Sequence, residues 1–376
     1  MATATKVSAW KRLRRNKGAM AGMVIIAIAV LVALFAHLIA PDPTPDANRM
    51  IVEIGGQKPG FTRQFLKLPK EQTIRPASFW QRLLFGTEDV FQYIPITGYQ
   101  FSGDSLIIQQ YLDEDVTERK AFALSSIVPG NASLEHNSKD HLIQYIIQHQ
   151  LETKKFLLGT DKYGRDILSR LIVGVRVSLA VGLITVLISL SIGVLLGALS
   201  GYFRGVTDDL ITWFINVIWS IPTLLLVFAI TLVLGKGFWQ VFIAIGLTMW
   251  VNVARLIRGQ VLSIREMEYV EAARALGFTH GRIIVRHVLP NVLGPVMVLA
   301  ASNFASAIVI EAGLSFLGVG VQPPQPSWGL MIKENFNFII TQNPMLALAP
   351  GFAIMLLVLA FNMLGNGLRD ALQVKE

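Results

Sequence analysis

A chain of 376 residues with 53% hydrophobic and 15% charged side chains does not read as a set of soluble domains, because long charge-poor runs give most of it the bilayer as solvent. The absence of cysteine excludes disulfides, thiol nucleophiles, cysteine-ligated metals and lipoprotein acylation. The net charge of +8 is uneven: 14 Lys and Arg meet 15 Asp and Glu between Pro41 and Arg165, against 19 and 10 elsewhere, so the excess sits beside membrane segments and follows the positive-inside rule rather than marking nucleic-acid binding.

Residues 1–18 form a basic tail (Lys6, Lys11, Arg12, Arg14, Arg15, Lys17) ahead of an uncharged apolar run, 19–40. At about 1.5 Å per residue that run spans about 33 Å, enough to cross a hydrocarbon core. It predicts a first transmembrane helix with a cytoplasmic N-terminus. The small residue Ala40 also fits a cleaved signal peptide, but the run is longer than a usual signal core.

Residues 41–156 make a polar insert, where Pro41, Pro43 and Pro45 stop the helix. The topology places it outside the cytoplasm, since long domains translocate largely regardless of charge. Strand-like residues in Gln100–Tyr111 and a helix over Asp140–Ile147, with Asp140 as N-cap, predict a small α+β domain. Its His136, His141 and His149 are irregularly spaced, which suits solvated surface side chains better than a metal site.

The remainder, 157–376, reads as a membrane core. Leu157–Leu179 is amphipathic, with Ile167, Leu168, Leu171, Ile172 and Val175 on one face and Asp166, Ser169, Arg170 and Arg176 elsewhere. It is expected to lie along the outer membrane surface and lead into a second span near 177–200. A short inner loop, Gly201–Asp209, carries Arg204. The third span, near 210–234, contains Pro222, which removes a backbone hydrogen bond and kinks a helix. After an outer turn at Gly235-Lys236-Gly237, the fourth, near 238–257, delivers Arg255 and Arg258 to the inner face. Val292–Val321 would reach about 45 Å if wholly helical, more than one membrane thickness, so a break is expected near Gly313. Gln322–Gly329, with three prolines, is expected to be an ordered outer segment, and a sixth span follows near 345–364. Fifteen basic residues in the inner non-spanning stretches, against Lys236 and Lys333 in short outer turns, support both termini being cytoplasmic. The fold expected is an all-α polytopic membrane protein of six transmembrane helices, with the α+β insert between helices 1 and 2.

Between spans four and five lies 263–291. Tyr269–Leu276 is a helix-forming run, Gly277 a natural left-handed stop, and Thr279 a cap for a second helix that Pro290 interrupts. Ala272 and Ala273 leave a smooth surface that another protein can approach closely. Glu271-Ala272-Ala273, Gly277 and Leu289-Pro290, at these separations, resemble the EAA loop of ATP-binding-cassette (ABC) importer permeases. In the general pattern an isoleucine stands where this chain has His287; Arg286–Asn291 looks like the dipeptide and oligopeptide branch. Leu158–Asp161 with Gly164-Arg165-Asp166, Ser169-Arg170, Gly174, Arg176 and Ser178-Leu179 resembles the segment before that branch's second span. Glu311–Gly318 with Pro323–Gly329 resembles its outer segment. The resemblance covers the first span and the chain from Leu157 onward; the insert is longer than the family pattern.

That resemblance implies a subunit without chemistry of its own. A second homologous permease pairs with it in the membrane lipid, two ABC ATPases close on ATP and Mg to swing the pathway between inward- and outward-facing, and an extracytoplasmic substrate-binding protein delivers cargo. No G-x-x-x-x-G-K-[ST] phosphate loop occurs, so hydrolysis is expected in partner subunits, with no cofactor or metal held here. ATPase coupling is expected of Glu271, Ala272, Ala273, Arg274, Gly277, Leu289 and Pro290. Glu271 would pair either with a basic residue of the ATPase or with Arg274, the latter worth little. Glu311, the only acidic residue in a long apolar stretch, is a candidate either for the pathway or for a structural role at the outer boundary. Asn303, Trp219 and Pro222 are further pathway or gate candidates. Peptide import is the leading reading, with nickel or another small solute as the alternative within the family. Outside it stand an ATPase-independent secondary transporter, which would need inverted repeats and buried ion-binding carboxylates, and a membrane-anchored sensor or enzyme, which leaves five spans unexplained.

Overall fold

The computed structural model describes residues 9–70, 77–129, 139–341 and 343–372. His136 and Lys6 lie outside these. The chain opens with α1 (Ala9–Arg15) and α2 (Lys17–Leu34), separated by Asn16, whose side chain caps α2 by accepting from the Ala19 N–H. One more turn, α3 (Ala36–Ile39), precedes the prolines.

The insert is built on five antiparallel strands: β1 (Phe61–Pro69), then α4 (Phe79–Phe85), β2 (Phe91–Ser102), β3 (Ser105–Asp113), β4 (Val116–Ala123), α5 (Leu124–Ile127), α6 (Lys139–Tyr145) and β5 (Leu151–Phe156). They lie in the order β4-β3-β2-β1-β5. Alternate residues Leu66, Ile94, Ile96, Leu106 and Ile108 pack on Leu124, Ile127 and Ile146. The strand-like stretch Gln100–Tyr111 proves to be two strand ends around a tight turn, where Gly103 supplies φ +58. Asp140 lies inside the first turn of α6 rather than at a cap. His149 stacks on Tyr145 at 4.5 Å.

Residues 157–166 form no surface helix. They fold back against residues 51–57, with Asp161 accepting from the N–H groups of Tyr163 and Arg165 at 2.9 and 3.0 Å, and α7 (Ile167–Phe203) then runs unbroken for 37 residues. Its amphipathic start needs no water, because its cations are neutralised inside the protein. Arg165 and Arg170 are fully buried; Arg165 bonds Asp161 at 2.6 Å and Glu334 at 2.8 Å, and Arg170 stands 3.5 Å from Glu334.

The expected inner loop 201–209 shrinks to Arg204, at φ +56, before α8 (Gly205–Trp219). Asp208 belongs to α8 and takes a bidentate bond from Arg258 at 2.6 and 2.7 Å. Pro222 does more than kink the next helix: α8 and α9 (Thr223–Leu234) meet at 91°, with Pro222 at the N-cap of α9, where its missing N–H costs nothing. Then α10 (Phe238–Arg265) packs along α7 through a stripe of Gly193, Gly197 and Gly201; a Cβ at Gly197 would stand 2.5 Å from the Ala254 carbonyl oxygen.

Beyond α11 (Glu268–Ala275), α12 (His280–Ile283) passes through a wide π turn, Ile284–Val288, into α13 (Leu289–Leu317). Pro290 therefore does not end the second helix. The wide turn shifts the bonding so that a residue without an N–H sits at the start of the next α segment. Gly313 is inside α13; the stop is Gly318 at φ +84, with the N–H groups of Val319 and Gly320 bonding the Leu314 carbonyl at 2.9 and 3.0 Å. α14 (Trp328–Asn335), α15 (Phe338–Thr341) and α16 (Met345–Leu372) complete the chain. Among the described residues, five helices are long and apolar enough to cross a membrane, or six if α8 and α9 count as one broken span. The fold is a mostly helical, polytopic membrane fold.

Gly197→Ala should separate α7 from α10 and cost about 1–3 kcal/mol, whereas Gly259→Ala on α10, with open space around it, should be neutral or slightly stabilising. Thermal melts in detergent, with only the first variant lowering the midpoint, check this.

Candidate functional site

The loop after α10 is held from several sides. On α11, Val270 and Ala273 turn inward against Ile283, Ile284 and Val288, which leaves Glu268, Tyr269, Glu271, Ala272 and Arg274 outward. Only one alanine of the pair is thus offered to a partner; Ala273 packs into its own subunit because it lies three residues after Val270, on the same helical face. Leu276 is 74% exposed, an apolar contact that the string of motif letters did not single out. Gly277 adopts φ +77, and the Phe278 N–H reaches back to the Ala273 carbonyl at 3.2 Å, closing the helix as the glycine predicted. Thr279 stands at the N-cap of α12, but its hydroxyl makes no capping bond. Leu289 is half-buried and Pro290 exposed.

His287, where an aliphatic residue was expected, stacks flat on Phe278 with 5° between the rings. The pair Glu271–Arg274 is not formed among the described residues; the Arg274 guanidinium stands 6.0 Å from the Tyr202 ring. Tyr202 is a hub that sequence reading missed. Its hydroxyl meets His280 Nδ1 at 3.0 Å and its carbonyl accepts from Arg265 at 2.7 Å, tying the end of α7 to both sides of the loop. Asn291 adds a bond to the Tyr269 hydroxyl at 3.1 Å. An aromatic residue at the polar end of a long apolar helix was the available signal.

Deeper in the membrane part, a cavity of about 350 Å³ brings Trp219 and Asn303 together, with Thr248, Asn252, Ser302 and Ser306. Pro222 begins α9 between two residues of its wall, Ile221 and Thr223. Among the described residues, no charged side chain lines it. Asn303 Nδ2 is buried without a partner among the described residues. Trp219 lies under the Arg255 guanidinium at 3.7 Å from the ring centroid, a cation–π contact at the cavity's edge.

Glu311 does not line this cavity. It is buried, and one carboxylate oxygen accepts from both the Ser315 and Ser327 hydroxyls, at 2.6 and 2.7 Å. Ser315 Oγ in turn accepts from the Val321 N–H at 3.0 Å, and Ser327 caps α14. These bonds join α13 to Ser327 at the start of α14.

The loop and cavity fall within residues 193–375, which match the family model described as binding-protein-dependent transport system inner membrane component; residues 7–58 match the N-terminal TM domain of oligopeptide transport permease C. The chain is 44% identical over 217 residues to the dipeptide transport system permease protein DppC of Alkalihalophilus pseudofirmus, covering 58% of this chain and 71% of that protein. It is 41% identical to the glutathione transport system permease protein GsiD of Pectobacterium atrosepticum (58% and 72% covered) and 39% identical to the oligopeptide transport system permease protein OppC of Bacillus subtilis (59% and 73%). The chain belongs to the dipeptide- and oligopeptide-type ABC permeases. It is a multi-pass inner-membrane transport subunit. Between the two family matches lies most of the insert, which neither family model covers.

Within this permease, Glu311→Gln should keep both serine bonds through its amide oxygen and melt normally. Glu311→Leu should strand two buried hydroxyls and cost about 2–4 kcal/mol. Normal stability with loss of uptake in the glutamine variant would instead show that the carboxylate's charge serves transport.

Proposed function

We propose that this chain is one of two homologous permease subunits of an importer that carries di- and oligopeptides inward across the cytoplasmic membrane, driven by two separate ATPases. The observation that carries the reading is α11, an exposed helix stopped by Gly277 between two long membrane helices on the basic side of the chain. Six spans are counted with α8 and α9 as one broken crossing, both termini inside and the insert 41–156 outside. Glu268, Glu271, Ala272, Arg274 and Leu276 form the surface offered to an ATPase, and ATP and Mg act there rather than in this chain. Ala273, Gly277, Leu289 and Pro290 shape that surface.

When the ATPases close, a rigid α11 transmits their displacement to α10 and α13, between which the cavity lies. The cavity wall supports peptides as cargo over a metal ion: hydroxyls and amides serve peptide N–H and C=O groups, while among the described residues no carboxylate or imidazole lines it to ligate nickel. A binding protein hands peptide over on the outer side, where the insert helps to receive it or covers the mouth.

Gly277→Pro, which forces φ to about −65°, and Glu271→Lys should leave membrane insertion intact and lower ATPase recovery and peptide uptake about tenfold, equivalent to about 1.4 kcal/mol of docking energy. Copurification and uptake in vesicles test this. Normal uptake in both variants would sink the coupling assignment, and an intact complex without ATPases would sink the importer reading.

A further inference from the structure

The short helix α4 of the insert has no part in the function above, and its surface is anomalous. Ser78 and Gln81 close a complete capping box, with bonds of 2.9 and 3.3 Å, so the helix is locally well specified. Yet Phe79 is 60% exposed, Trp80 68%, Leu84 54% and Phe85 69%. A water-facing domain does not leave four such side chains uncovered within two turns.

The position of α4 identifies what covers them. Arg176 of α7 donates to the carbonyls of Ala33 and Leu34, at 2.5 and 3.0 Å, and of Leu83 and Leu84, both at 2.7 Å. One guanidinium therefore caps the C-terminal ends of α2 and α4 and holds them at one depth. From Lys17 to Leu34, α2 climbs about 27 Å, which brings Leu34 to the far boundary of a hydrocarbon core about 30 Å thick. The apolar surface of α4 is also continuous with that of the spans. Leu84 and Phe85 border a cleft of about 430 Å³ whose other wall includes Val173, Val177, Ala180 and Phe238. Tryptophan and phenylalanine at this level, with exposed Arg82 on the same helix, match the composition of interfacial anchors.

We propose that α4 is a lipid anchor: its aromatic side chains enter the leaflet on the insert's side and hold the insert down on the membrane. The inference rests on α2 crossing the bilayer and not on what is carried. Because the chain has no cysteine, Trp80→Cys and Phe79→Cys can each carry a nitroxide in the full chain, reconstituted in nanodiscs of phosphatidylcholine and phosphatidylglycerol. Collision with oxygen and with a water-soluble nickel chelate is then read by power saturation. Val24→Cys on the lipid-facing side of α2 and Glu114→Cys at an exposed hairpin tip are the references. Both α4 labels should behave like position 24, oxygen-accessible and several-fold better shielded from nickel than position 114. Nickel collision equal to that at position 114 would place α4 in water and overturn the proposal. Shielding from both reagents would show protein cover, a second copy of the chain included, and would overturn it equally.

Discussion

The close approach of α7 and α10 is the constraint on which the rest of the molecule depends. Gly193, Gly197 and Gly201 remove side chains from one face of α7 over two turns, so the α10 backbone rests directly on it. In a bilayer, where apolar burial between helices contributes little, such backbone contact and interhelical polar bonds must supply the association. The pair also sets the position of everything at its two ends. At the end near α11, the Asp208–Arg258 and Tyr202–Arg265 bonds fasten α8 and the loop entrance to it; at the insert end, the segment before α7 and its first turn carry the buried cations Arg165 and Arg170. If the proposed ATPase surface on α11 is displaced, these bonds give the motion a packed helix pair to act on rather than a free connection.

The insert-side end of the helices is held by charges and hydroxyls that would be costly to bury singly. Arg165 and Arg170 share Asp161 and Glu334, so residues from the segment before α7, from α7 itself and from α14 converge on one neutralised cluster. Glu311 gathers Ser315 and Ser327 at the opposite end of α14 from Glu334. Trp328 adds a bond from its indole N–H to the Leu171 carbonyl at 3.1 Å, with Gly174 leaving room for the ring. Removing one partner from such a network leaves another stranded in low dielectric, which is why these contacts fix the outer segment more firmly than their number suggests.

Features that depend on a few neighbouring residues were legible in the sequence: the basic flanks, the stop at Gly277, the prolines after the first span and the presence of strands in the insert. Features that depend on distant partners were not. Nothing near Arg165 announces that Glu334, 169 positions later, will neutralise it, so an amphipathic pattern that suits a membrane surface belongs instead to a segment with a buried cluster. Pro290 departs from a simple helix stop for a related reason: a proline ends an α-helix only if the preceding turn keeps α geometry, and here a π turn intervenes. The stop at Gly318 rather than Gly313 follows the same logic, since only the first is followed by N–H groups free to return to Leu314. Of the candidate site, the loop's letters were readable. The inward turn of Ala273, the Tyr202 hub and the meeting of Trp219 with Asn303 required the packing.

The 91° break between α8 and α9 bears on the pathway independently of any side chain. Breaking a helix at membrane depth frees carbonyls before the break and N–H groups after it, and hydrocarbon offers neither a partner. Such a break is tolerated where protein or a water-filled space receives those groups. Here Ile218, Trp219, Ile221 and Thr223 all line the cavity that Asn303 also faces. The break at Pro222 thus borders the same space as an unpartnered buried amide, and polar groups there are best satisfied by water or by the amides of a passing chain. The proposed peptide route accordingly has a physical cause in the fold, since the helix break and the neutral polar wall are two expressions of one need for hydrogen-bonding partners.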